Sequence, residues 1–95
     1  MPDFAITCLD KPDAGSLRAD TRPAHLEYIA TKTDDLIVAG PLLDDADAPM
    51  GSLIICAFAS REEAETFAAG DPYAKAGLFA SVTITPWRQV YPPRS

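Results

Sequence analysis

The chain reads as an α+β domain of the split βαββαβ (ferredoxin-like) type, in which a four-stranded antiparallel sheet carries two helices on one face. Three observations point there. Four short apolar stretches have strand character, at residues 4–9, 36–42, 52–59 and 79–87. Helix-start signals follow the first and third of them, so the order is strand, helix, strand, strand, helix, strand. The link between the second and third strands is too short for a crossover and makes them an antiparallel hairpin.

The first strand, Phe4-Ala5-Ile6-Thr7-Cys8-Leu9, is apolar enough to be central. Residues 10–15 form a loop by their turn chemistry, Asp-Lys-Pro-Asp-Ala-Gly. Ser16-Leu17-Arg18 is expected as a preliminary turn, with the main helix over residues 22–32. Asp20 or Thr21 caps it, and Pro23 falls in its first turn, where a missing N–H costs nothing. Leu26, Ile29 and Ala30 recur at i, i+3 and i+4 and make its buried stripe. The second strand contains Gly40-Pro41, which places it at a sheet edge or distorts it, because proline cannot donate to the ladder. An acidic loop over 44–51 leads into the third strand. Ser60-Arg61-Glu62-Glu63 is a capping box. The helix it opens buries Ala64, Phe67 and Ala68 and closes at Gly70 in a left-handed turn. Asp71-Pro72-Tyr73 starts a further helix of about one turn. In the last strand Ala80, Val82 and Ile84 line one face, and Phe79, Ser81, Thr83, Thr85 and Trp87 the other. Residues 91–95 read as an extended tail.

Length and charge bound the function. The 95 residues suit a single domain over 1–95 with a modest core. Both helices are expected on one face, which leaves an open, partly apolar sheet face that a second subunit would cover; a homodimer is the economical expectation. Eight basic against fourteen acidic residues give a net charge of −6 with no basic stripe, which argues against nucleic acid and anionic membranes as partners. The start, Met1-Pro2-Asp3, lacks the basic and apolar regions of a signal peptide, and the longest uncharged run, 50–60, is far short of a membrane span. The expected location is therefore cytoplasmic. Cys8 and Cys56 stand in strands outside any metal or redox pattern and read as small core residues. Asp44, Asp45 and Asp47 lack the spacing of a calcium loop and read as a solvated turn, so no metal is expected. The absence of a Walker loop or GxGxxG leaves a nucleotide cofactor unsignalled.

One residue carries the chemical interest. His25, in Arg22-Pro23-Ala24-His25-Leu26, is the only histidine, and its side chain alone has an unperturbed pKa near physiological pH. In the first turn of the expected helix it would sit near the positive dipole end, which favours the neutral ring that a general base needs. The same placement also suits a histidine that merely packs at a helix start.

Four pieces taken together resemble the YciI-like (YCII-related) family of small ferredoxin-like proteins: Arg22-Pro23-Ala24-His25-Leu26, Ala39-Gly40-Pro41, Gly51-Ser52, and Asp71-Pro72-Tyr73 with Ala76-Gly77 after it. The likeness runs from the first strand to Trp87. It implies a dimeric α/β-barrel-type assembly with two sheets face to face and a cleft beside each. It further implies a site in which His25 pairs with Asp71, with Arg22 and Ser52 near the same cleft and Tyr73 or a tail aromatic lining it. Characterised members are lyase-like, including a dehydrochlorinase of a chlorinated hydroxyquinol. The acidic loop 44–50 departs from the family pattern, so the substrate does not carry over. A carboxylate on one ring nitrogen would fix the tautomer and leave the other nitrogen to take a proton. Arg22 or the Ser52 hydroxyl would steady an enolate or phenolate oxygen. Each residue has a plainer reading: Asp71 as an N-cap, Arg22 as a surface ion-pair partner, Ser52 as a strand start, Tyr73 as packing. Two functions are thus expected of the chain: a cofactor-free lyase, dehydratase or isomerase of small molecules, or a binding or accessory module without chemistry.

Overall fold

The computed structural model describes residues 1–93; the last two residues of the expected tail lie outside the described ones. In chain order it comprises β1 (Asp3–Asp10), α1 (Leu17–Ala30), β2 (Leu36–Leu43), β3 (Pro49–Ala57), α2 (Arg61–Gly70), α3 (Pro72–Lys75) and β4 (Phe79–Trp87). The sheet order is β2-β3-β1-β4, and every neighbouring pair is antiparallel. This is the split βαββαβ arrangement, with Gly40-Pro41 on an edge strand where proline breaks no central ladder.

The two-residue period of the strands sorts the side chains into two faces. Across the central pair, Phe4 faces Cys56, Ile6 faces Ile54 and Cys8 faces Ser52. The apolar members of that face join Ile29 of α1 and Ala64, Phe67 and Ala68 of α2 in one buried cluster. Phe58 adds a ring 6.3 Å from Phe4 and 5.4 Å from Phe67. Burying such side chains contributes about 1.5–3 kcal/mol each before chain entropy is set against it. Ser52 continues the same face beyond the cluster, so its hydroxyl points into the helix layer. The opposite face holds Ala5, Thr7, Leu9, Val38, Leu53 and Ile55. Leu9 and Val38 there are 43% and 51% exposed.

Several boundaries differ from the sequence expectation. α1 begins at Leu17, not near Arg22, and the preliminary turn is its first turn. Gly15 at φ +62° turns the chain into it, and the Ser16 hydroxyl donates to Asp20 across that turn at 2.8 Å. Pro23 consequently lies inside the helix, where it forfeits one backbone hydrogen bond. The buried side chains of α1 are His25 and Ile29; Leu26 is 48% exposed and Ala30 is also exposed. The third strand starts at Pro49, earlier than expected, because Asp44 folds the hairpin tightly by accepting the Ala46 and Ala48 N–H groups.

α2 opens as expected: Ser60 Oγ accepts the Glu63 N–H, and the Glu63 carboxylate returns to the Ala59 N–H. Its end differs, since Gly70 has helical backbone and no positive φ. Glycine leaves room there for a neighbour: a Cβ would lie 2.5 Å from Tyr28 Oη, which donates to the Phe67 carbonyl and would have to move. In β4 the pairing with β1 skips Ala80, so Phe79 pairs with Asp10 and turns to the helix side. The expectation had put Phe79 on the other face, and the bulge reverses it.

Candidate active site

The site assembles where α1, the α2–α3 junction and the ends of β1 and β3 converge. His25 is the ninth residue of α1, not a first-turn residue, so the helix N-terminal dipole does not act on it as expected. It is buried beneath the helix, and its Nδ1 stands 2.9 and 3.0 Å from the two carboxylate oxygens of Asp71. A carboxylate only accepts, so Nδ1–H donates, and it is Nε2 that carries the lone pair of the neutral ring. Nε2 has no partner among the described residues, and His25 lines a cleft between α1 and the sheet.

Asp71 has two roles at once. As the N-cap of α3, its Oδ1 accepts the Tyr73 N–H at 2.9 Å, with Pro72 in the first turn behind it. The backbone hydrogen bond orients the carboxylate that receives His25. Capping and ring orientation are thus not alternatives at this residue. Tyr73 is buried, stacked on the imidazole with centroids 4.1 Å apart and rings 20° from parallel. The Arg18 guanidinium lies 4.6 Å from the centre of the same ring. Burial pushes the Tyr73 phenol above its ordinary pKa, against the charges of Arg18 and Arg22.

Arg18 and Asp10 are the residues that the sequence reading missed. Arg18 donates from Nε and Nη2 to the two Asp10 oxygens, at 2.7 Å each, and from Nη2 to Ser52 Oγ at 3.1 Å. The hydrogen bond to Asp10 raises the Arg18 pKa further, so it stays a fixed cation. A usable signal existed: Arg18, Arg22 and His25 stand at i, i+4 and i+7, on one helix face. It holds only for a helix that begins before Arg18, as α1 does. Arg22 lines the cleft, is exposed, and makes no ion pair among the described residues.

The cleft holds about 440 Å³. α1 supplies Arg18, Arg22, His25, Leu26 and Ile29; the strands supply Ala39, Pro41, Pro49 and Ser52. Its wall is thus largely apolar, interrupted by the two cations and the imidazole from α1 and by the hydroxyl from β3. Gly51 lets the two central strands approach beside it, since a Cβ there would collide with the Cys8 carbonyl. Cys8 pairs with Ser52 across the central strands, and burial, reinforced by the Asp71 charge, pushes its thiol up to about 12. Among the described residues no group of three His, Cys, Asp or Glu side chains is arranged to hold a metal ion. No described helix is long and apolar enough to cross a membrane.

Fold and cleft together define a small ferredoxin-like α+β protein with a histidine-bearing pocket between its first helix and its sheet. Within that class the chain belongs to the YCII-related family, whose domain model matches residues 3–88. It is 34% identical over 96 residues to protein YciI of Escherichia coli O6:H1, across 93% of this chain and 98% of that one. An uncharacterised protein of Haemophilus influenzae is 30% identical over the same shares. Among solved structures it is similar to a 5-chloro-2-hydroxyhydroquinone dehydrochlorinase from Burkholderia phenoliruptrix in complex with 2,5-dihydroxybenzoquinone. That likeness has a TM-score of 0.80 and 37% identity over 90% of this chain and 93% of the other. An antibiotic biosynthesis monooxygenase, at 13% identity and TM-score 0.56, shares the fold alone.

Proposed function

We propose that this chain is a small-molecule enzyme of lyase or isomerase type, working without a cofactor, with His25 as general base and Asp71 as the residue that orients it. The carrying observation is the contact of His25 Nδ1 with the Asp71 carboxylate at 2.9 and 3.0 Å, which leaves Nε2 to the cleft. Nε2 takes a proton from a carbon beside a carbonyl, or from a phenol, and the bonding pair stays on the substrate as an enolate or phenolate. A leaving group then departs with its own bonding pair, for a net loss of HX, or the proton returns to another carbon as an isomerisation. Asp71 stabilises the imidazolium in between. Arg22 from α1 and the Ser52 hydroxyl from β3 line the same cleft and receive the developing oxygen charge. Tyr73 supports the imidazole from below and forms part of the pocket floor.

The similarity to a dehydrochlorinase in complex with 2,5-dihydroxybenzoquinone supports a planar, oxygen-bearing ring as ligand. A cleft of about 440 Å³ with apolar walls suits such a ring. The same reading includes a two-fold homodimer through the open sheet face around Leu9, Val38 and Leu53.

The test is an assay of chloride release from 5-chloro-2-hydroxyhydroquinone and of deuterium exchange into cyclic ketones. His25→Ala is expected to lower the rate by about 10²–10⁴, the usual contribution of a positioned general base. A variant as fast as the parent removes His25 from the mechanism. If the parent binds 2,5-dihydroxybenzoquinone yet turns over none of these compounds, the cleft is a binding site and the chain a binding module.

A further inference from the structure

The strongest polar arrangement outside the histidine–aspartate pair starts at Asp10, the last residue of β1, which does not itself line the cleft. Asp10 takes two Arg18 N–H groups at 2.7 Å each, a two-point pair that fixes both the position and the plane of the guanidinium. Nη2 carries a second hydrogen, and this one goes to Ser52 Oγ at 3.1 Å. A guanidinium has donors only, so Ser52 must accept, and its own hydroxyl hydrogen is turned away from Arg18. No acceptor for that hydrogen occurs among the described residues, although Ser52 is only 3% exposed and lines the cleft.

We infer that Asp10 is a positioning residue which, through Arg18, sets the Ser52 hydroxyl as a committed hydrogen-bond donor to a carbonyl or phenolate oxygen of the bound molecule. The inference rests on the reading of this cleft as a small-molecule site. Its structural half, Asp10 locking Arg18 onto Ser52, stands apart from which molecule binds. The pair has a second consequence: Asp10 neutralises Arg18, so Arg18 acts here by geometry, and the unpaired positive charge of this cleft is that of Arg22.

The test is a double-mutant cycle read by titration with 2,5-dihydroxybenzoquinone. Ser52→Ala is expected to weaken binding about tenfold to a hundredfold, the range for a lost hydrogen bond to a charged oxygen. Asp10→Asn keeps the side-chain volume but loses the two-point grip, and should weaken binding about as much. In the Ser52→Ala background the same Asp10→Asn change should have little further effect, since its path to the ligand is already gone. Additive losses overturn the inference, because a generally structural Asp10 would harm binding in either background. Asp10→Glu, which keeps the charge and displaces the guanidinium, decides the matter by the same cycle if Asp10→Asn does not fold.

A second readout needs no ligand. NMR of the arginine side chains should show distinct, slowly rotating Arg18 Nη–H signals in the parent that merge in the Asp10 variants. A parent that fails to bind the quinone but shows these signals overturns the ligand class and upholds Asp10 as the residue that locks Arg18. Indistinguishable spectra overturn that lock.

Discussion

Replacing Asp71 by asparagine changes one atom in a site where three contacts meet. Asp71 Oδ1 accepts the Tyr73 N–H at 2.9 Å, and the carboxylate lies 2.9 and 3.0 Å from His25 Nδ1, with its side chain only 3% exposed. In Asp71→Asn the amide oxygen must stay on the Tyr73 N–H, which only an acceptor can satisfy. The amide nitrogen then stands where Oδ2 was, and its N–H would press against the ring N–H at about that 3.0 Å spacing. Although the retained Oδ1 also lies 2.9 Å from Nδ1, the conflict is relieved when the ring proton moves to Nε2 and Nδ1 accepts from the amide. Fold and cap survive, but the nitrogen facing the cleft has lost its lone pair. A charge-assisted hydrogen bond worth about 1.5–3 kcal/mol gives way to a neutral one of about 0.5–1.5 kcal/mol, a net loss of about 1–1.5 kcal/mol. For a chain of this size that lowers the melting temperature by roughly 4–12 °C. Turnover in the assay above should fall by about 10²–10⁴. Imidazole NMR of parent and variant reports the tautomer, and thermal unfolding reports the stability. A variant that carries Nε2–H and still turns over at the parent's rate would falsify the assignment of Nε2 as the base, and one whose ring keeps Nδ1–H refutes the tautomer shift.

Three further outcomes follow from burial and close approach. The Cys8 thiol, pushed from an ordinary 9.0 up to about 12, stays protonated in the fold after the unfolded thiol has ionised, so its contribution to stability is full below pH 9 and is lost as pH rises toward 12. Denaturant melts across that window should fall less steeply for Cys8→Ala than for the parent, and iodoacetamide should leave native Cys8 unlabelled at pH 8. Gly51→Ala drives a methyl group into the Cys8 carbonyl of the central ladder and should cost about 2 kcal/mol or more in urea unfolding. Gly70→Ala meets only the movable Tyr28 hydroxyl, and its lost hydrogen bond is offset by a helix-propensity gain of up to about 1 kcal/mol, so a cost as large as that of Gly51→Ala would contradict this reading. For the proposed dimer, sedimentation should show the parent at twice the monomer mass, and Leu9→Arg with Val38→Glu should yield monomers with an intact fold. A parent that sediments as a monomer at micromolar concentration refutes that assembly. An interface of ordinary size would bury about 1,600 Å² in total.

What the residues dictated by themselves is whatever depends on near neighbours in the chain. Period-two apolar runs are visible within six to nine residues, and all four strands lie where those runs stand, in the pairing order that a short hairpin and two helix starts imply. The Ser60 cap and the Asp71-Pro72 start are likewise local chemistry, satisfied within three residues. Misplaced features are those where a distant partner outweighs a local preference. Pro23 marks a helix start by propensity, yet α1 runs from Leu17, and Arg18 is tied to Asp10 and Ser52 from two different strands. Gly70 looks like a left-handed terminator, yet its backbone is helical and what lies against it is the Tyr28 side chain of another helix. Phe79 changed faces through a bulge against β1, which no pattern within β4 encodes. His25 and Asp71 stand 46 residues apart, and in the sequence only the family resemblance pairs them. Hydrogen-bond reach is about 3 Å, whereas sequence patterns inform on a few residues along the chain. The position of one side chain against another across the fold is therefore decided by packing, which brings α1 and the α2–α3 junction together over the end of the sheet.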